Sequence, residues 1–290
     1  MMPIMGSVIR TLRGCSGSLR RGRGGEKTES RADVKKARGC VGLVRAGRLP
    51  VACLERLGGM KVFWKIATLT VAAGLALTPA GAARAVELDC ARAAGITADA
   101  PDPALAEMTC EAAAAAKALM APCGLVQTAP IRISVVKSAE HPSFGTCLAI
   151  YDARSGCLEV TEPEGILPLL AGRDARDALP VDVLFRALTV HELAHAFTAQ
   201  TAGDIAIGPA EQEFIANVFE MMSLPPEWRE QMLAAHPVDP PGALGVVHPS
   251  IYALAPRAFA NNAWRLFEAK GNGCALVQRI VTGEFAFPAH

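Results

Sequence analysis

Five residues constrain this chain more than any others: His191-Glu192-Leu193-Ala194-His195. On a helix, residues four apart lie one turn above each other on the same face. On a strand the same two histidines would stand about 13 Å apart and could share nothing. The stretch Leu188 to Phe197 contains no Pro, no Gly and no charged residue besides Glu192. That is the composition of a helix turned inward. A buried turn holding two imidazoles and a carboxylate is costly unless something pairs them. The spacing allows both imidazoles to reach one metal ion, with Glu192 placed to address a water beside it. Only six histidines occur in 290 residues, so the pattern is not a by-product of His-rich composition. The competing reading is a core helix with two hydrogen-bonded histidines and an ion-paired glutamate.

The formal net charge of +1 hides a sharp division. Residues 1–85 hold 16 Lys+Arg against 4 Asp+Glu, and residues 86–290 hold 13 against 24. The Arg/Gly-rich segment 1–59 lacks the apolar surface to fold alone. It reads as a disordered basic leader, or as sequence upstream of a true start at Met60. From Met60 the chain is briefly basic, then apolar and small from Ile66 to Leu77. Pro79 and Gly81 break that run, and Ala83-Arg84-Ala85 fits a small-residue cleavage site. Residues 60–85 are therefore expected to be a signal peptide, leaving 86–290 as a single periplasmic or secreted domain. The apolar run is shorter than the roughly 20 residues of a spanning helix, so no stable membrane span is expected after cleavage. The acidity of 86–290 argues against a nucleic-acid partner. Six of the nine cysteines fall in this part: Cys90, Cys110, Cys123, Cys147, Cys157 and Cys274. An even number in an exported chain predicts three disulfides and no free thiol. Cys147 and Cys157 flank a turn and are the expected local bridge.

Propensity and periodicity predict an α+β fold. A helix is expected over 103–121, with Pro103 in its first turn. Strands follow at 131–136, 147–151 and 157–161, the last two joined by a hairpin turn over 152–156. The helix carrying the histidine motif spans 181–200. Helices over 211–223, 227–235, 256–270 and 274–282 complete the chain, with a Pro/Gly-rich connection over 237–249. Strands first and helices after suggest a small mixed sheet followed by a mainly helical part.

A catalytic zinc takes three protein ligands and keeps one position open. The positions three and six residues after His195 are Thr198 and Thr201, so no Gly-and-His extension supplies the third. The next helix offers Glu213, after 17 intervening residues, enough for a turn and an antiparallel return. Glu213, Asn217 and Glu220 share one face of it. Glu213 is the expected ligand and Glu211 its rival. Asn217 is expected behind the metal, bonded to a ligand histidine.

On His191, Glu192, His195 and the Glu-x-x-Ala segment at Glu213, the chain resembles the gluzincin group of zincin metallopeptidases. The match covers about residues 181–224. The chain is also similar to small exported bacterial proteins regarded as zinc peptidases. The resemblance implies a zincin-like fold with an edge strand above the cleft that pairs with an extended peptide. It implies Zn²⁺ on His191, His195 and Glu213, Glu192 as general base, and a peptide or protein substrate. A donor for the oxyanion would come from the C-terminal helices, where His248, Tyr252 and Arg257 are candidates. His141, His236 and His290 read as surface residues. The alternative is a disulfide-stabilised binding protein on the same scaffold, without catalysis; a hydrolase of non-peptide bonds is a third option.

Overall fold

The computed structural model describes residues 85–142, 145–269, 271 and 273–288. The expected leader and signal peptide lie outside these, apart from Ala85, as does His290. The described chain opens with two short strands, β1 (Val86–Asp89) and β2 (Ile96–Ala100). Helix α1 (Pro103–Met120) follows. Asp102 caps it, its carboxylate accepting the Leu105 N–H at 3.0 Å, and Pro103 occupies the position where no N–H is missed. Gly124, in the left-handed region at φ 73°, ends the short 3₁₀ turn that closes it.

Next come β3 (Ile131–Val136), the small hairpin β4 (Ala139–His141) and β5 (Gly145–Cys147), then β6 (Ala149–Asp152) and β7 (Cys157–Thr161). Five strands form one mixed sheet in the order β1-β2-β3-β7-β6. β2, β3 and β7 run parallel, and β1 and β6 are antiparallel edges. The central strands are apolar where they must be: Ile131, Ile133, Val135, Leu158 and Val160 are buried. The expected hairpin between β6 and β7 is present. The Gly156 N–H bonds the Asp152 carbonyl at 3.0 Å, and Gly156 takes φ 65°.

Helices make up the rest: α2 (Pro163–Leu170), α3 (Val181–Ala202), α4 (Pro209–Ser223), α5 (Pro226–Ala235), α6 (Pro249–Leu254), α7 (Pro256–Ala269) and α8 (Gly273–Val281). The fold is α+β. Sequence reading did not anticipate β1, β2, β4, α2 or α6, and its single strand over 147–151 is divided between β5 and β6. All are short, and α2 even carries a proline inside, so each depends on packing more than on propensity. α3 packs against the sheet through β6 and β7, and against α1, α2 and α4. That wrapping explains why Leu184, Phe185, Leu188, Val190, Leu193 and Phe197 are all buried.

Two disulfides tie the described chain. Cys90–Cys110 joins the turn after β1 to α1, and Cys123–Cys274 joins the end of α1 to the start of α8. The expected Cys147–Cys157 bridge is not formed, and Cys147 is a free thiol. Cys157 is itself disulfide-bonded to another cysteine, and the register keeps it away from Cys147. Cys157 pairs with Asp152 across the hairpin, while Cys147 belongs to β5 and pairs with Ala139. No described helix is long and apolar enough to cross a membrane.

Candidate metal centre

The site is built where α3 passes α4. The motif occupies the middle of α3, and both helices bury the faces that meet, with Phe214, Ile215, Val218 and Phe219 of α4 fully enclosed. This places His191 and His195 one turn apart, opposite Glu213. The two Nε2 atoms lie 3.3 Å from each other. Glu213 spans them, with Oε2 at 3.6 Å from His191 Nε2 and Oε1 at 3.6 Å from His195 Nε2. Tetrahedral zinc with bonds near 2.0–2.1 Å needs donors about 3.3–3.4 Å apart. With one donor atom from each residue, all three lie within 4.8 Å of one another, close enough to share one metal ion, and two imidazoles with a carboxylate are a donor set that zinc accepts. Among the described residues these three are the group of His, Cys, Asp and Glu side chains that could hold a metal.

Glu192 and His191 are each about 9% exposed. Burial pushes the Glu192 carboxyl up to about 7, with the Glu213 charge adding and His191 opposing. The backbone N–H of Tyr151 in the edge strand β6 faces this carboxylate and opposes the rise. That orientation has a geometric cause. Thr161 donates to the Leu148 carbonyl at 2.9 Å, so by antiparallel alternation residues 148, 150 and 152 face β7 while 149 and 151 face outward. The Tyr151 N–H is thus free to meet Glu192. Burial pushes His195 down to about 4, with His191 adding to the effect. His191 goes the other way. Burial would lower it, but the Glu213 and Glu220 carboxylates override that and hold it near 10.

Glu220, rather than Asn217, is bonded to a motif histidine. Its Oε2 accepts from His191 Nδ1 at 2.8 Å. Asn217 bonds Glu213 instead, through Nδ2 to the backbone carbonyl at 2.8 Å and the carboxylate at 3.4 Å. A rotation of three residues separates the two roles, and the Asn217 amide is engaged by Glu213, one turn back on its own helix. The signal for Glu220 was its position on the Glu213 face. Glu211 is turned away from the site: its Oε1 accepts the Phe287 N–H at 2.6 Å.

The three candidate oxyanion donors separate. The Tyr252 hydroxyl lies in the electrostatic surroundings of Glu213, next to the site, and burial raises its pKa well above the usual phenol. Arg257 is buried behind Glu220, its Nη1 at 3.4 Å from Glu220 Oε1. His248 caps α6, its Nδ1 accepting the Ser250 N–H at 3.1 Å. His236 is exposed and His141 partly buried in β4. Arg176 and Asp174, which sequence reading passed over, complete the charged cluster around Glu220. They sit in the connection between α2 and α3, where no periodicity reports on them.

A family model described as "Family of unknown function (DUF6639)" matches residues 96–290. No curated protein and no solved structure matches the chain. The chain belongs to this family of unknown function, and the family assigns it no chemistry.

Proposed function

We propose that this member of the DUF6639 family is an exported zinc-dependent metallopeptidase. The observation that supports it most is the grouping of His191 Nε2, His195 Nε2 and the Glu213 carboxylate within reach of one ion, with a buried Glu192 beside it. A metal held only for structure would not need that fourth acidic group. The two described disulfides fit an oxidising compartment.

In this reading His191, His195 and Glu213 would hold the ion. When bound, zinc supplies a Lewis acid that acidifies water and polarises a carbonyl. Glu192 takes the proton of the attacking water and passes it to the leaving amine. The Tyr151 N–H faces the Glu192 carboxylate and favours its charged form. β6 is the edge of the sheet, and its outward Ala149 groups and Tyr151 carbonyl suit an extended peptide added as a further strand. The Tyr252 hydroxyl, next to Glu213, is the best placed of the three candidates to donate to a developing oxyanion.

Metal analysis of the purified chain and hydrolysis of a broad peptide library test the reading together. One zinc per chain is expected. His191→Ala, His195→Ala and Glu213→Ala should each lose it. Glu192→Gln should keep zinc and hydrolyse about 10²-fold more slowly or worse. Zinc lost from Glu192→Gln as readily as from the histidine variants would make Glu192 structural and favour a binding protein on this scaffold.

A further inference from the structure

Four charged side chains lie behind the metal ligands and touch none of the reacting groups. Glu220 comes from α4, Arg257 from the first turn of α7, and Asp174 and Arg176 from the connection between α2 and α3. Their charges cancel in pairs. The Glu220 carboxylate divides its work between its two oxygens. Oε2 faces His191 Nδ1 at 2.8 Å, and Oε1 is approached by Arg176 Nη1 and Arg257 Nη1, each at 3.4 Å. Arg176 is fixed from its other side by Asp174, Nη2 to Oδ2 at 2.8 Å. Asp174 is itself held, accepting the Arg176 backbone N–H at 2.9 Å through Oδ1, with Arg257 Nε 4.0 Å from the same oxygen. The Glu220 side chain is only 2% exposed and that of Arg257 only 6%.

We propose that Arg176 and Arg257 are positioning residues for the metal centre: by gripping one oxygen of Glu220 they aim the other at His191 Nδ1 and so turn His191 Nε2 toward its partners. This rests on the metal-site reading above and deepens it. A carboxylate on a long side chain has free rotation about its last bond, and one hydrogen bond to an imidazole does not stop it. Two guanidinium groups converging on one oxygen do. They come from two elements remote in sequence, so the orientation of a ligand on α3 depends on the α2–α3 connection and on α7. A guanidinium suits Arg176 because its planar fork serves Asp174 and Glu220 at once, which an ammonium cannot do with the same geometry. The charges that neutralise each other here make the cluster tolerable in a buried place, and removal of one member leaves a net charge behind.

The test measures zinc affinity by chelator competition and the visible absorption of the cobalt-loaded protein, with the thermal midpoint as a check on folding. The variants are Arg176→Met, Arg257→Met, Glu220→Gln and the charge-balanced pair Glu220→Gln with Arg257→Met. Each single variant should bind zinc roughly ten-fold to 100-fold more weakly and shift the cobalt spectrum, although neither arginine touches a ligand atom. The pair should recover much of the midpoint lost in the singles yet bind zinc no worse than Glu220→Gln alone, because Arg257 acts only through Glu220. Wild-type affinity and spectrum in both arginine variants would overturn the proposal. So would a loss in the pair equal to the product of the two single losses. A wild-type chain that takes up no zinc or cobalt would instead remove the metal-site reading itself, and the positioning role with it.

Discussion

Cys147 lies within electrostatic reach of three carboxylates. Burial pushes its thiol up to about 12, and Glu192, Glu140 and Glu159 all add to the shift, opposed only by a hydrogen bond from the His141 backbone. A thiol with that value is ionised in only about one molecule in 10⁴ at pH 8, against about a quarter for an ordinary cysteine. Alkylation at Cys147 in the folded protein should therefore be slow at pH 8 and accelerate about ten-fold per pH unit upward. Unfolding in urea should return it to ordinary reactivity. Mass spectrometry of the Cys147 peptide against time reads both. Rapid labelling of the folded chain at pH 8 would mean that Cys147 is neither as enclosed nor as negatively surrounded as described. At this scale the histidine motif was fully legible, because a four-residue spacing has one helical meaning. Glu213 was legible from length and charge. The exchange between Asn217 and Glu220 was not, since both sit on one helix stripe and only the offset between α3 and α4 decides which meets His191.

The placement of α4 is fixed at its start. At its start Glu211 turns back, close enough to Gly208 that a Cβ there would collide with the carboxylate. The same carboxylate accepts the Phe287 N–H at 2.6 Å, and the Phe287 ring packs against Phe214 with centroids 5.1 Å apart. The chain after α8 is thus strapped across the helix that carries Glu213. Glu211→Ala removes the acceptor and leaves a buried N–H unpaired, a loss of about 1–3 kcal/mol. The expected outcome is a lower urea midpoint with zinc still bound. Loss of zinc with no change in stability would reinstate Glu211 as a ligand. A second clamp lies at α7. Asn262 accepts the Ala243 N–H at 3.0 Å and donates to the Ala243 carbonyl at 2.7 Å, which pins the connection that leads into α6. Asn262→Ala should cost about 2 kcal/mol in the same measurement, and a value near zero would show that the connection is held elsewhere. Elements of this kind escape sequence reading. α3 and α4 are long and periodic, so they were visible, whereas α6 has six residues and exists because Asn262 and α7 hold its approach.

Across the whole molecule, covalent ties reach where hydrogen bonds do not. Cysteine number in 86–290 suggested disulfides, but spacing favoured the nearest pair, Cys147 and Cys157. Cys157 is disulfide-bonded elsewhere, and the register, set by packing between strands rather than by distance along the chain, separates it from Cys147. The two described bridges differ greatly in the loops they close. Cys90–Cys110 spans 20 residues of sequence and Cys123–Cys274 spans 151. A bridge stabilises chiefly by restricting the unfolded chain, by an amount that grows with the logarithm of loop length. On that basis the short loop is worth about 3 kcal/mol and the long one about 5 kcal/mol. The paired substitution of Cys123 and Cys274 by alanine should therefore lower the unfolding free energy more than the paired substitution of Cys90 and Cys110. It should also act on the proposed site, because the long loop encloses α3 and α4 and with them His191, His195 and Glu213. Urea denaturation of the two double variants, each with its zinc content, decides the point. Equal losses would mean that residual order in the unfolded chain, rather than loop length, governs the benefit. A larger loss at Cys90 and Cys110 would place the weight of the fold on the edge of the sheet instead of on the closure that joins α1 to α8.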